Sequence, residues 1–104
     1  MIARTWHGET DASRADEYLA YLNATGVRDL RATRGNIAVF VLRRIEGDRA
    51  HFTFVSLWES LDAIRAFAGD EAERARYYPE DAKYLLTLEP LVQHHDVVVS
   101  RQSA

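Results

Sequence analysis

Residues 56–67 read SLWESLDAIRAF. A run of β-forming residues reaches Trp58, and a helical pattern starts two residues later. Ser60 stands where an N-cap belongs, because its hydroxyl can accept from a free backbone N–H of the first turn. Leu61, Ile64, Phe67 and Ala68 then share one helical face, and Gly69 ends the segment. Working backwards, Ala50 to Trp58 (AHFTFVSLW) and Asn36 to Ile45 (NIAVFVLRRI) are both β-rich, and the turn EGDR joins them. The pair reads as a β-hairpin with a glycine-containing loop. A strand that runs straight into a helix, at the end of a hairpin, sets the frame for the rest of the chain.

Upstream, Ile2 to His7 reads as a strand stopped by Gly8. The following stretch, ETDASRADEYLAYLNATG, reads as an amphipathic helix with Ala15, Tyr18, Leu19 and Leu22 on one face. Asp11 or Ser13 can cap it, Ser13 with Asp16 resembles a capping box, and Gly26 is expected to supply a left-handed stop. Val27 to Gly35 is expected to be a polar connection. Downstream, Asp70 to Arg76 is expected to form a short charged helical turn, and Pro79 with Glu80 and Asp81 suits a helix start. Leu91 to Ser100 (LVQHHDVVVS) reads as the last strand.

The order is therefore β-α-β-β-α-β, the α+β ferredoxin-like arrangement: a four-stranded antiparallel sheet with two helices on one face. The strands carry apolar residues on both alternations, Val39 and Val41 against Phe40 and Leu42. One layer of helices covers only one of these sets. A second copy packed sheet to sheet covers the other, so a homodimer is expected.

At 104 residues the chain fits one domain, and 47% hydrophobic with 28% charged residues marks it as globular. The net charge of −3 comes without a basic run, which argues against nucleic acid as a partner. No apolar run reaches the roughly 18 residues of a membrane span. The start MIARTWHGET lacks the charged and apolar regions of a signal peptide. The absence of cysteine removes disulfides, thiolate nucleophiles and cysteine-held metal, and fits a cytoplasmic setting. No Walker loop, GxGxxG, HExxH or GxSxG occurs, so nucleotide, zinc-protease and serine-hydrolase chemistries lose their signatures.

Together MIARTWHG, RGNIAVFVLRR, SLWESLDAIRAFAG and ARYYPED resemble the antibiotic biosynthesis monooxygenase family, over nearly the whole chain. The resemblance implies a dimeric α+β barrel domain over residues 1–100, with 101–104 as a flexible tail. It also implies one of two activities: oxidation of polycyclic phenols or anthrones by oxygen with no added cofactor, or haem binding with ring opening. The haem-degrading pattern puts an Asn on the first strand, a Trp in the second helix and a His beyond it. Here those places hold Thr5, Trp6 and His7, then Phe67, then Tyr77. A tyrosine can ligate haem iron. The quinone-forming pattern puts an Asn and a Trp four residues apart, where this chain has Phe54 and Trp58.

Cofactor-free oxygenation needs aromatic walls around a small aromatic, hydrophobic ligand and a group that removes its proton. For the walls, the candidates are Trp58, Phe54, Phe67, Tyr78 and His7. For proton transfer, they are His94, His95 and Tyr77. His94 and His95 are neighbours on a strand, so they face opposite sides and make a poor metal site. Each candidate also has a plain alternative: Trp58 as core packing, the tyrosine pair as a cover for the sheet edge, the histidines as structural or exposed. The function expected on balance is oxidation of an aromatic, polyketide-like molecule; a non-catalytic ligand-binding or structural dimer is the alternative, and haem binding through Tyr77 is a third reading.

Overall fold

The computed structural model describes residues 1–101. The expected tail falls mostly on 102–104, outside the described residues. Four strands, β1 (Ile2–Asp11), β2 (Asn36–Glu46), β3 (Arg49–Trp58) and β4 (Gln93–Asp96), form one sheet in the order β2-β3-β1-β4. All adjacent pairs are antiparallel. Helical segments α1 (Ala15–Leu22), α2 (Arg28–Ala32), α3 (Leu61–Ala68) and α4 (Asp81–Tyr84) complete the fold. This is the ferredoxin-like arrangement that the hairpin and its flanking helices imply.

Register explains which face each strand residue takes. Arg4, Trp6, Gly8 and Thr10 of β1 stand opposite Ser56, Phe54, Phe52 and Ala50 of β3. Side chains alternate along a strand, so this set shares the helix-covered face. Two buried clusters grow on it. One gathers Tyr18 and Leu22 of α1 with Phe52; the other gathers Leu30, Trp58, Ile64 and Ala72. Phe54 packs against both. On the opposite face, Phe40 and Leu42 keep about half their surface exposed, and His7 stacks on His51 with ring centres 5.8 Å apart.

Ser60 caps α3 as expected, its Oγ accepting from Ala63 N at 3.2 Å. Gly69 ends that helix at φ 95°, and the hairpin closes through Gly47 and Asp48.

Five local expectations are corrected. Gly8 does not stop β1, which runs on to Asp11. The Trp6 indole lies over Gly8, and a methyl there would overlap it; the glycine permits a close approach inside the strand. Asp11 caps no helix with its side chain, and its carboxylate accepts from Arg49 at 3.1 Å. Gly26 is not a left-handed stop. The chain stays helical through a π-turn, Asn23–Val27, and continues as α2. Val27 and Leu30 extend the buried face begun by Tyr18 and Leu22, so packing carries the helix beyond the glycine. Residues 70–76 form turns and not a helix, because Ala75 and Val92 donate across to Pro90 O and Glu73 O. Those bonds tie the segment to the chain before β4. The last strand covers only Gln93–Asp96, where β1 offers partners from Ile2 to Thr5.

Candidate functional site

A cavity lies at the seam of the two core clusters. Tyr18 and Leu22 face it from α1, Gly26 from the π-turn and Leu30 from α2. The sheet supplies Arg4, Trp6, Phe54 and Ser56, the segment before α4 supplies Tyr77 and Tyr78, and α4 supplies its first residue, Asp81. Phe67, Arg76 and Val92 complete the wall. The helical run has no side chain at Gly26. A methyl there would meet Phe54 and Tyr78 only at 3.7 and 3.9 Å, so the glycine leaves space. Water-accessible room amounts to about 60 Å³, a few times the roughly 10–15 Å³ that one water needs.

The aromatic wall is held by hydrogen bonds. Trp6 Nε1 donates to Tyr77 Oη at 3.1 Å, and Tyr77 in turn donates to Glu89 O. Burial raises the Tyr77 pKa, against a smaller lowering by the Trp6 N–H. Tyr78 donates to Asp29 Oδ2 at 2.6 Å, and burial followed by that bond pushes its pKa up. The same Asp29 oxygen is 3.4 Å from Arg76, whose guanidinium lies over the Phe67 and Tyr78 rings. That bond from Tyr78, ahead of its arginine neighbours, holds Asp29 below its usual value.

Two buried charged side chains reach this cavity. Arg4, 5% exposed, donates from Nη1 to Ala72 O and, at 3.1 Å, to His94 Nε2, and from Nη2 to Arg74 O at 3.0 Å. Burial lowers its pKa to about 10. Asp81, 4% exposed, accepts from Tyr18 Oη at 3.0 Å and from Tyr78 N at 2.6 Å. Burial raises the Asp81 pKa, against a smaller lowering by those two donors. A carboxyl held up in this way is the kind of group that takes a proton from a phenol.

The structure brings Phe54, Phe67, Tyr77 and Tyr78 together around one space. His94 stands behind Arg4. A guanidinium can only donate, so His94 Nε2 accepts and the ring proton sits on Nδ1. Burial first, then Arg4, lowers the His94 pKa. His95 pairs with Ala3 on the open side of the sheet, and His7 bonds Glu89 there at 2.7 Å. Neither histidine touches the cavity. Trp58 is fully buried, packs with Phe67, and donates from Nε1 to Ser56 Oγ at 2.9 Å. It backs the cavity through Ser56 without lining it. The sequence reading missed Arg4, Trp6, Asp81 and Arg76 as cavity residues. Arg4 and Trp6 share one side of an alternating strand, which was the available signal.

No family model matches the sequence, and no curated protein matches it. Solved structures do match in fold. A Bacillus cereus protein provisionally assigned as an antibiotic biosynthesis monooxygenase aligns over 100% of this chain and 97% of its own, at TM-score 0.67 and 16% identity. MhuD, a haem degrader from Mycobacterium tuberculosis with two haems in its active site, aligns over 98% and 100%, at 0.60 and 19%. A variant of MhuD with two manganese protoporphyrin IX groups per active site aligns over 99% and 100%, at 0.62 and 17%. The chain shares their fold.

Haem does not fit the residues at this place. The Tyr77 oxygen that would meet iron is engaged by Trp6 and Glu89. Among the described residues no histidine lines the cavity to take its place. No described helix is long and apolar enough to cross a membrane.

Proposed function

We propose that this protein oxidises a small aromatic molecule with oxygen, without a bound cofactor, in the cavity between helices and sheet. The observation that carries this reading is a buried carboxyl, Asp81, raised by burial and set in a wall of aromatic rings. Asp81 takes the phenolic proton. The resulting electron-rich anion reduces oxygen. One oxygen atom becomes the new quinone carbonyl, and the other leaves as water with two hydrogens of the substrate. Trp6, Phe54, Phe67 and Tyr78 hold the ring and keep water out, which strengthens the electrostatics around the developing charge. His94 acts through Arg4, and Tyr77 fixes the Trp6 indole. A ligand of two rings exceeds the space present, so Arg76, Tyr78 and Phe67 swing aside as it enters.

The working unit is a homodimer joined through the open sheet face. Half-exposed Phe40 and Leu42 support this reading.

Oxygen uptake with hydroxylated anthracenes and naphthols tests the activity. Turnover that Asp81→Asn lowers at least roughly 100-fold, the scale of a lost general base, supports it. Turnover unchanged by Asp81→Asn removes Asp81 from the chemistry. A second reading, a binding protein without catalysis, draws on one observation: the tyrosine hydroxyls of the cavity all have protein partners. It predicts binding of the same compounds with no oxygen consumed.

A further inference from the structure

Arg4 presents a charge without a counter-ion. Three of its five N–H groups go to two carbonyls and a neutral imidazole. No carboxylate pairs with it among the described residues. The Nε hydrogen and the second hydrogen on Nη2 have no protein acceptor there either. A buried guanidinium is normally matched by a carboxylate, because carbonyl dipoles replace only part of its lost hydration. The residue is nonetheless 5% exposed, and what exposure it has includes the cavity wall. Its neighbours on that wall are the apolar Trp6, Phe54, Phe67 and Val92 and one hydroxyl, that of Ser56 across the sheet, which accepts from Trp58. Arg76, the other cation of the cavity, differs: it is exposed and already bonded to Phe67 O and Asp29. Asp81 is the one acidic residue lining the cavity among those described, and its oxygens are taken by Tyr18 and Tyr78.

We propose that the cavity selects an aromatic carboxylate, whose carboxylate group supplies the counter-ion that Arg4 lacks. A planar guanidinium matches a carboxylate through two parallel N–H bonds, and a low-dielectric wall makes that pair selective. The proposal rests on the reading of the cavity as an aromatic-ligand site, and it names the acidic substituent that reading leaves open.

The test is calorimetric binding of a matched pair: 1-hydroxy-2-naphthoate and its neutral counterpart 2-(hydroxymethyl)-1-naphthol. The acid is expected to bind the full chain at least roughly tenfold tighter, the range of a charge-assisted hydrogen bond. The preference should persist from low to high salt, because a buried pair is weakly screened. Arg4→Gln should reduce it to about twofold or less, and Arg76→Gln should retain it. Arg4→Lys, which keeps the charge but loses the fork, should fall between; if Arg4→Gln does not fold, this variant decides. Equal binding of the two compounds, a preference that survives Arg4→Gln, one lost in Arg76→Gln, or no binding of either overturns the proposal. Oxygen uptake is measured separately. Acid preference without uptake removes the oxygenase reading alone, and uptake without acid preference removes the Arg4 proposal alone.

Discussion

On the covered face of the sheet, Arg4, Thr10 and Ser56 are buried among Trp6, Phe52 and Trp58, and each has a hydrogen-bond partner. On the open face, Phe40 and Leu42 are half exposed beside Val55 and Thr53, and no element among the described residues covers them. Both faces come from the same strands by simple alternation. Burial therefore does not separate polar from apolar residues here. The covered face takes polar groups inside because each finds at least one partner there, whereas the open face mixes half-exposed apolar residues, Phe40 and Leu42, with polar ones such as His7 and Thr53. This contrast supports the proposed place of the chemistry: buried charged groups, Arg4 and Asp81, meet aromatic walls on the covered face.

Four measurements press on this contrast. The largest effect is expected from Trp58→Ala, which empties the centre of a cluster and strands the Ser56 hydroxyl. It should lower stability by about 3–5 kcal/mol in urea unfolding. A loss under about 1 kcal/mol would mean that the covered face is not the principal core. Next is Phe40→Asp. In a dimer joined through this face, the dissociation constant should rise about 30-fold or more in sedimentation equilibrium. In a monomer the same change should alter stability by no more than about 0.5 kcal/mol. That result would leave the open face without a function.

A smaller effect, about 1 kcal/mol, is expected for Trp6→Phe, which keeps the ring and removes its N–H. A double-mutant cycle with Tyr77→Phe should recover that amount as coupling, and additive losses would sever the two residues energetically. The smallest is a pH trend. Burial raises the folded pKa of Asp81, so the fold gains from a bound proton. That gain is full below the unfolded value of about 3.9 and is lost as pH rises through the folded value. Wild type should therefore lose Tm relative to Asp81→Asn between pH 4 and pH 7. A difference that stays constant with pH would leave Asp81 with an ordinary titration.

How much of this could be read in the sequence follows from how far apart the causes lie. Ser60 announces its helix because an N-cap acts over three residues. The opposite facing of His94 and His95 follows from alternation alone. The end of β1 was misplaced because Gly8 answers to a ring two residues away lying over its backbone, a tertiary fact that resembles a turn signal. Gly26 misled in the same way, since the packing of Val27 and Leu30 decides that the helix continues. The candidate site was half legible. The aromatic walls stand out by type, whereas Arg4 acquires its character from carbonyls 68 and 70 residues onward. No local pattern carries that information.

The π-turn at Gly26 makes the cavity adjustable. Its backbone angle is not one reserved for glycine, and a methyl would find ordinary contacts there. Alanine is the better helix former by up to about 1 kcal/mol. Gly26→Ala should thus give a sturdier protein with a narrower chamber. Ligand size and thermal robustness are coupled at this one position, so a lineage or an engineer can exchange one for the other by a single carbon atom without altering a charged or hydrogen-bonding group.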